Sequence, residues 1–131
     1  MRITMTDWIH SVLTNYITEG DCCVDATMGK GGDTLFLCRM AGKTGSVTAF
    51  DIQKEALSFT EKRLKEAGLS AALLLEGHEQ MGKHFQPETI QCIMFNLGYL
   101  PGGDHNLATK PETTIAAIEE GLRLLKTGGI M

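Results

Sequence analysis

The run Asp25-Ala-Thr-Met-Gly29-Lys-Gly31-Gly32-Asp33-Thr34 joins two acids to three glycines between the apolar stretch Cys22-Cys23-Val24 and a helical pattern starting at Leu35-Phe36-Leu37. Glycine adopts backbone conformations closed to other residues and lets a ligand approach the main chain. The first turn of a helix leaves N–H groups without intrahelical partners. An acid ending a strand, followed by such a turn, is suited to receive a cofactor. Asp51, Gln53, His78 and Asn96 each fall at the end of a later apolar run. An Asp about twenty residues beyond the glycine turn can accept hydrogen bonds from ribose hydroxyls. Gln53 can reach the sugar or the adenine edge, and His78 offers a flat ring with a donor or acceptor. Singly, Asp51 reads as well as an N-cap, Gln53 as a solvated first-turn residue and His78 as a structural cap. Their recurrence at successive strand ends favours a ligand.

The glycine spacing separates two cofactor classes. A dinucleotide fingerprint reads G-x-G-x-x-G; Gly29 and Gly31 satisfy its first half, but Thr34 stands where the third glycine belongs. The run instead resembles the first motif of the S-adenosylmethionine-dependent methyltransferases, matched by Asp25, Gly29 and Gly31. Strand 4 ends in Asn96-Leu-Gly-Tyr99-Leu-Pro-Gly-Gly-Asp104. In amino-methylating enzymes the corresponding place often reads Asn or Asp, two prolines, then an aromatic. Asn96 and Tyr99 keep the two chemically useful positions, while Leu97 and Gly98 depart from the prolines. Asp104 and His105, just beyond, read as loop residues within reach of a proton.

These residues need elements to hold them. Met5, Trp8, Ile9, Val12, Leu13, Tyr16 and Ile17 recur at helical spacing over residues 5–18, with Thr6 or Asp7 as cap. Cys22–Ala26 is short and apolar throughout, as a strand covered on both faces should be. A helix follows the glycine turn to Met40 and stops at Gly42. Ser46–Phe50 is the second strand, closing on Asp51. A helix spans Lys54–Ala67 and ends at Gly68. Ala71–Leu75 is the third strand, succeeded by a short helix to His84 that Pro87 terminates. Ile90–Phe95 is the fourth strand, residues 97–111 a Gly/Pro-rich loop, and residues 112–126 a helix turning Ile115, Ile118, Leu122 and Leu125 inward. Strands alternating with helices at this pitch predict an α/β domain, a mostly parallel sheet with helices on both faces. Ligands of such sheets bind outside the carboxyl ends of the strands.

At 131 residues and 43% hydrophobic, the chain is sized for a single domain, residues 1–131. Its formal charge of −4 and pI near 5.5 exclude a broadly basic nucleic-acid binder, so any RNA contact is local or supplied by a partner chain. The four cysteines, Cys22, Cys23, Cys38 and Cys92, show no C-x-x-C spacing and read as buried small hydrophobes rather than zinc ligands or disulfides. No apolar run approaches the length of about 18 residues that spans a bilayer, and the N-terminus lacks a secretory pattern. A cytoplasmic protein without a membrane partner is expected.

The runs Asp25–Asp33, Asp51-Ile-Gln53, Gly77-His78 and Asn96–Asp104, with Thr113-Thr114 opening the next helix, together resemble the rRNA methylase family. Its members include bacterial tRNA 5-aminomethyl-2-thiouridine methyltransferases. The resemblance covers nearly the whole chain and implies a Rossmann-like methyltransferase fold. It further implies S-adenosylmethionine as cofactor, bound by Asp25, Gly29, Gly31, Asp33, Asp51, Gln53 and His78, with no metal. Asn96 and Tyr99 would face the acceptor, an RNA and specifically a tRNA, N-methylated on the 5-aminomethyl group of wobble 2-thiouridine. Two other readings stay open: an NAD-dependent oxidoreductase on the same fold, and a non-catalytic nucleotide-binding module. The chain ends at Gly128-Gly129-Ile130-Met131, where the family fold would turn into strand 5. The fold is expected to be cut short there, leaving an edge of strand 4 open to self-association or to another chain.

Overall fold

The computed structural model describes residues 3–96 and 111–131, so Tyr99, Asp104 and His105 lie outside the described residues. Helix α1 (Met5–Leu13) precedes β1 (Cys22–Asp25), α2 (Gly32–Ala41), β2 (Ser46–Asp51), α3 (Lys54–Ala67) and β3 (Ala72–Leu75). A 3₁₀ helix (His78–Lys83), β4 (Ile90–Met94), α4 (Pro111–Leu124) and β5 (Leu125–Ile130) complete the order. The strands lie in the order β3-β2-β1-β4-β5, and every neighbouring pair is parallel.

Successive residues of a strand face opposite ways, so a sheet covered on both sides needs strands without polar alternation. Cys23, Cys92 and Met94 pack on one face with Leu13, Leu35, Leu37 and Leu64 of the first three helices. Val24 and Ile93 pack on the other with Met81, Ala117 and Leu124. Chain connections leave β1 and β4 toward opposite neighbours, which makes their carboxyl ends the switch point where a ligand crevice opens. The four cysteines are free thiols, three of them buried. Burial pushes the Cys38 thiol up to about 11 and that of Cys92 to about 12, which keeps both protonated and inert.

Three expectations are corrected. Helix α1 ends at Leu13 rather than residue 18, because the next N–H groups, Asn15 and Tyr16, bond only three residues back, to the Val12 and Leu13 carbonyls, and tighten the chain into a turn. Its cap is Thr4, whose hydroxyl accepts the Asp7 N–H while the Asp7 carboxylate accepts the Thr4 N–H, a capping box. Met5, Trp8, Ile9 and Tyr16 are exposed, and burial falls to Leu13 and Ile17. In α4 the residues expected inward, Ile115, Ile118 and Leu122, are exposed as well, while Ala117, Gly121 and Leu124 meet the core. These smaller residues let the helix come close: a Cβ on Gly121 would lie 3.1 Å from the Ile93 Cδ1.

The third correction concerns the sheet edge. The helix stops at Leu124 and the chain enters β5 at once, pairing with β4 at Ile90 and Cys92 across an irregular register. The outer side of β4 is thus not left open along its length. Gly129 makes this possible, since a Cβ there would meet the Lys126, Gln91 and Ile90 carbonyl oxygens at 2.9–3.1 Å. The buried Gln91 side chain fastens the junction by donating to the Tyr16 carbonyl at 2.6 Å and the Gly128 carbonyl at 3.4 Å.

Candidate cofactor and acceptor site

The glycine turn leaves β1 and enters α2 through Gly29 and Gly31, at φ +51° and +87°, where side chains are strained. The space beside Gly29 is open, with nothing within 4 Å of a would-be Cβ, so the main chain there is accessible to a ligand. Gly31 is instead pressed against Thr60, at 3.0 Å. Side chains of α3 hold the turn from outside: Thr60 Oγ1 donates to the Gly29 carbonyl at 3.3 Å, and Arg63 donates to the Lys30 carbonyl at 2.8 Å. Neither contact has a signature in a local sequence pattern, because each joins residues about thirty positions apart.

At the end of β2, Asp51 aims its carboxylate at the turn. Oδ2 accepts the Gly29 N–H at 3.1 Å and Oδ1 the Gln53 N–H at 2.9 Å. Each oxygen retains a lone pair for a hydroxyl donor. Gln53 is buried, and its Oε1 has no hydrogen-bond partner. A buried amide oxygen left without a donor costs about 1–3 kcal/mol, and a ligand amine or hydroxyl seated between Asp51 and Gln53 would supply that donor. Asp33, in the first turn of α2, accepts from His10 Nε2 at 2.7 Å, and the His10 ring stacks on Phe36 with centroids 4.0 Å apart. This contact ties α1 to the turn.

Asp25 and His78 sit deeper than the sequence suggests. Asp25 is fully buried; its Oδ2 accepts the Thr34 hydroxyl at 2.7 Å and its Oδ1 the Thr27 N–H at 3.2 Å. Burial raises its carboxyl to about 8, against the lowering effect of the Thr34 hydrogen bond. His78 is also buried. Its Nδ1 donates to the Ala26 carbonyl at 3.2 Å, which leaves Nε2 to accept from Thr114 Oγ1 at 3.4 Å, and its ring meets Phe95 edge-on at 5.4 Å. Burial lowers its pKa, so the neutral ring is favoured. Both residues have their polar atoms committed to the protein. Thr34, read from the sequence only as a missing glycine, is the partner that Asp25 requires.

Asn96 lies at the end of β4, exposed, with its N–H donated to Thr27 Oγ1 at 2.6 Å. A cleft of about 810 Å³ opens beside it, lined among others by Asp33, Phe95, Trp8, Ile9 and Ile118. The cleft brings Asp33 and Asn96 to one side of the turn, while Asp51 and Gln53 lie at the end of β2 on the other. The carboxyl ends of β1, β2 and β4 thus share one edge of the sheet, with the acceptors Asp51 and Gln53 at β2 and Asn96 at β4, and the largely apolar cleft reaches that edge at Asp33, Phe95 and Asn96.

Fold and site define a Rossmann-like methyltransferase domain. The Putative rRNA methylase family model matches residues 47–131, and the chain belongs to that family. It is 38% identical to the chloroplastic tRNA (mnm(5)s(2)U34)-methyltransferase of Arabidopsis thaliana, over 99% of this chain and 52% of the relative. Among solved structures it is similar to a putative rRNA-methylase from Clostridium thermocellum, at 41% identity and TM-score 0.92, covering 99% of this chain and 71% of that one. It is also similar to SMU.1697c, a putative methyltransferase from Streptococcus mutans in complex with SAH, at 35% identity and TM-score 0.87, with 99% and 72% covered. The chain spans about half the length of the curated relatives it matches. No helix among the described residues is long and apolar enough to cross a membrane.

Proposed function

We propose that this chain binds S-adenosylmethionine and forms the catalytic domain of an RNA methyltransferase acting on the 5-aminomethyl group of wobble 2-thiouridine in tRNA. The unpartnered Gln53 Oε1 beside the Asp51 carboxylate carries the cofactor reading: both are acceptors, and an adenosine brings the hydroxyl and amine donors they lack. The open face of Gly29 fits the methionyl part, and Asp33, in the first turn of α2, would take its ammonium on the oxygen that His10 does not occupy. Asp25 and His78 support the crevice from beneath. Thr34 speaks against a nicotinamide cofactor, since its hydroxyl is spent on Asp25 where a dinucleotide site needs a glycine for close helix–strand packing. The substrate reading rests on the Arabidopsis relative, aligned over nearly the whole chain.

The bound cofactor supplies an electrophilic methyl group on a sulfonium, so the protein need not offer a covalent nucleophile. Its work is to hold the acceptor in line with that methyl. An aliphatic amine with a pKa near ~10, like that of lysine, must lose a proton before it can attack. Enclosure near the positive sulfonium lowers its pKa, because desolvation and like charge both disfavour the ammonium. Asn96 orients the amine through its side-chain carbonyl and takes no proton itself; Tyr99 is the aromatic that the family resemblance assigns to the acceptor.

Calorimetry of the chain against SAH and NAD, paired with transfer of labelled methyl groups to tRNA carrying the unmethylated aminomethyl group, tests the reading. Binding of SAH without NAD, and incorporation into that tRNA alone, is the expected result. Binding of NAD, or no binding of SAH by the folded chain, would overturn the cofactor assignment. Incorporation only into other RNA would overturn the substrate.

A further inference from the structure

The register between β1 and β4 carries an irregularity at the mouth of the crevice. Asp25 pairs with Met94, and the Ala26 N–H donates to the Met94 carbonyl at 2.7 Å. In a parallel ladder the next rung would run from the Asn96 N–H to the Ala26 carbonyl. That rung is replaced. The Ala26 carbonyl accepts from His78 Nδ1 at 3.2 Å, and the Asn96 N–H turns to Thr27 Oγ1 at 2.6 Å. Side chains thus take over from the backbone where the two strands part, one residue before the crevice.

We infer that Thr27 is the positioning residue of the acceptor site: its hydroxyl, accepting the Asn96 N–H, sets where Asn96 stands relative to the methyl donor. Thr27 is itself located by its own N–H, which Asp25 Oδ1 accepts at 3.2 Å, while Asp25 Oδ2 takes the Thr34 hydroxyl from the first turn of α2. One buried chain of contacts therefore runs from the cofactor turn through Thr34, Asp25 and Thr27 to Asn96. Thr27 is 9% exposed, so water competes poorly for this contact, although Asn96 itself is exposed. Methyl transfer tolerates little misplacement; a shift of about 1 Å can cost about a hundredfold in rate. The hydroxyl is what the site requires at this position, and threonine supplies it with a branched stem that packs.

The inference rests on the proposed methyltransferase reading and is tested with Thr27→Val, which keeps the shape and removes the acceptor, against Thr27→Ser, which keeps the acceptor. In Thr27→Val, kcat for tRNA methylation is expected to fall on the order of 10–100-fold, with the Kd for SAH within about twofold of wild type. Hydrogen exchange at the Asn96 amide should be about tenfold faster. Thr27→Ser should restore both. Equal loss of rate in the Val and Ser variants, unchanged kcat in Thr27→Val, or a loss of SAH affinity that accounts for the loss of rate would overturn it. A wild-type chain that transfers no methyl group would sink the proposed reaction instead. The Asn96 exchange rates would then decide the tie alone: faster in Val only upholds it, and equal rates refute it.

Discussion

Asp25 and Asp51 show how two carboxylates of one crevice divide their work. Asp51 stays half-buried at the end of β2 with lone pairs to spare, while Asp25 lies beneath the turn with both oxygens committed. Asp51→Ala should therefore weaken SAH by at least about tenfold, a single ligand-facing acceptor being worth roughly 1.5–3 kcal/mol when charged, and lower stability by about 0.5–2 kcal/mol, because the Gly29 and Gln53 N–H groups lose their acceptor; calorimetry checks the affinity and urea unfolding the stability. Asp25 predicts a pH effect. Its carboxyl titrates near 3.8 in the unfolded chain and is raised to about 8 in the fold, chiefly by burial. Folding then favours the protonated form, so its contribution is full below the lower value and is lost as pH rises toward the upper one. Asp25→Asn, neutral throughout and still able to accept the Thr27 N–H, should remove that decline. The urea midpoint of wild type should fall relative to the Asn variant between about pH 5 and 8, and parallel curves would contradict the assignment.

At the scale of elements, apolar periodicity located every helix and strand of the described chain except β5, whose first residues it assigned to the preceding helix, and it misjudged which stripe of α1 and α4 meets the sheet. The reason is geometric. Ala117 and Gly121 mark a close approach by being small, a signal that a count of large apolar residues passes over. The end of the sheet carries the same lesson. Gly128-Gly129 reads as a turn, yet Gly129 sits inside β5 against three carbonyl oxygens. Gly129→Ala should destabilise the domain by about 1–3 kcal/mol through this overpacking. Thr127→Ala, on the exposed part of the same strand, should stay within about 0.5 kcal/mol of wild type. Chemical denaturation of both variants distinguishes a packed glycine from a merely flexible one.

For the molecule as a whole, a ligand held where β1 and β2 end adds to contacts that already tie these strands to the glycine turn, such as Asp51 to the Gly29 N–H. Binding to the folded state alone stabilises it by about 2.7 kcal/mol when the ligand stands a hundredfold above its Kd. In a domain of this size that is on the order of 10 °C in Tm. Thermal scans should show such a rise with SAH, no rise with NAD, and at most about half the rise with SAH in Asp51→Ala, since a tenfold weaker ligand at the same concentration stabilises by only about 1.4 kcal/mol. A rise left undiminished by the Asp51 change would place the ligand elsewhere.

Local chemistry was legible in the residues themselves: the glycine turn and its entry into α2, the acids at two strand ends, and Asn96 at a third, because turns, caps and apolar runs are properties of neighbouring positions. The family resemblance added the cofactor class, and the rRNA methylase match agrees with it. Tertiary structure alone decided which of those groups remain open to a ligand. Asp25 and Asp51 look alike in the sequence, each closing an apolar run, but β1 is central and its end is roofed by the turn, whereas the end of β2 opens beside it. Burial and long-range hydrogen bonds, such as Thr34 to Asp25, Thr27 to Asn96 and His78 to Ala26, join residues from 9 to 69 positions apart. They exist only once the strands are laid side by side.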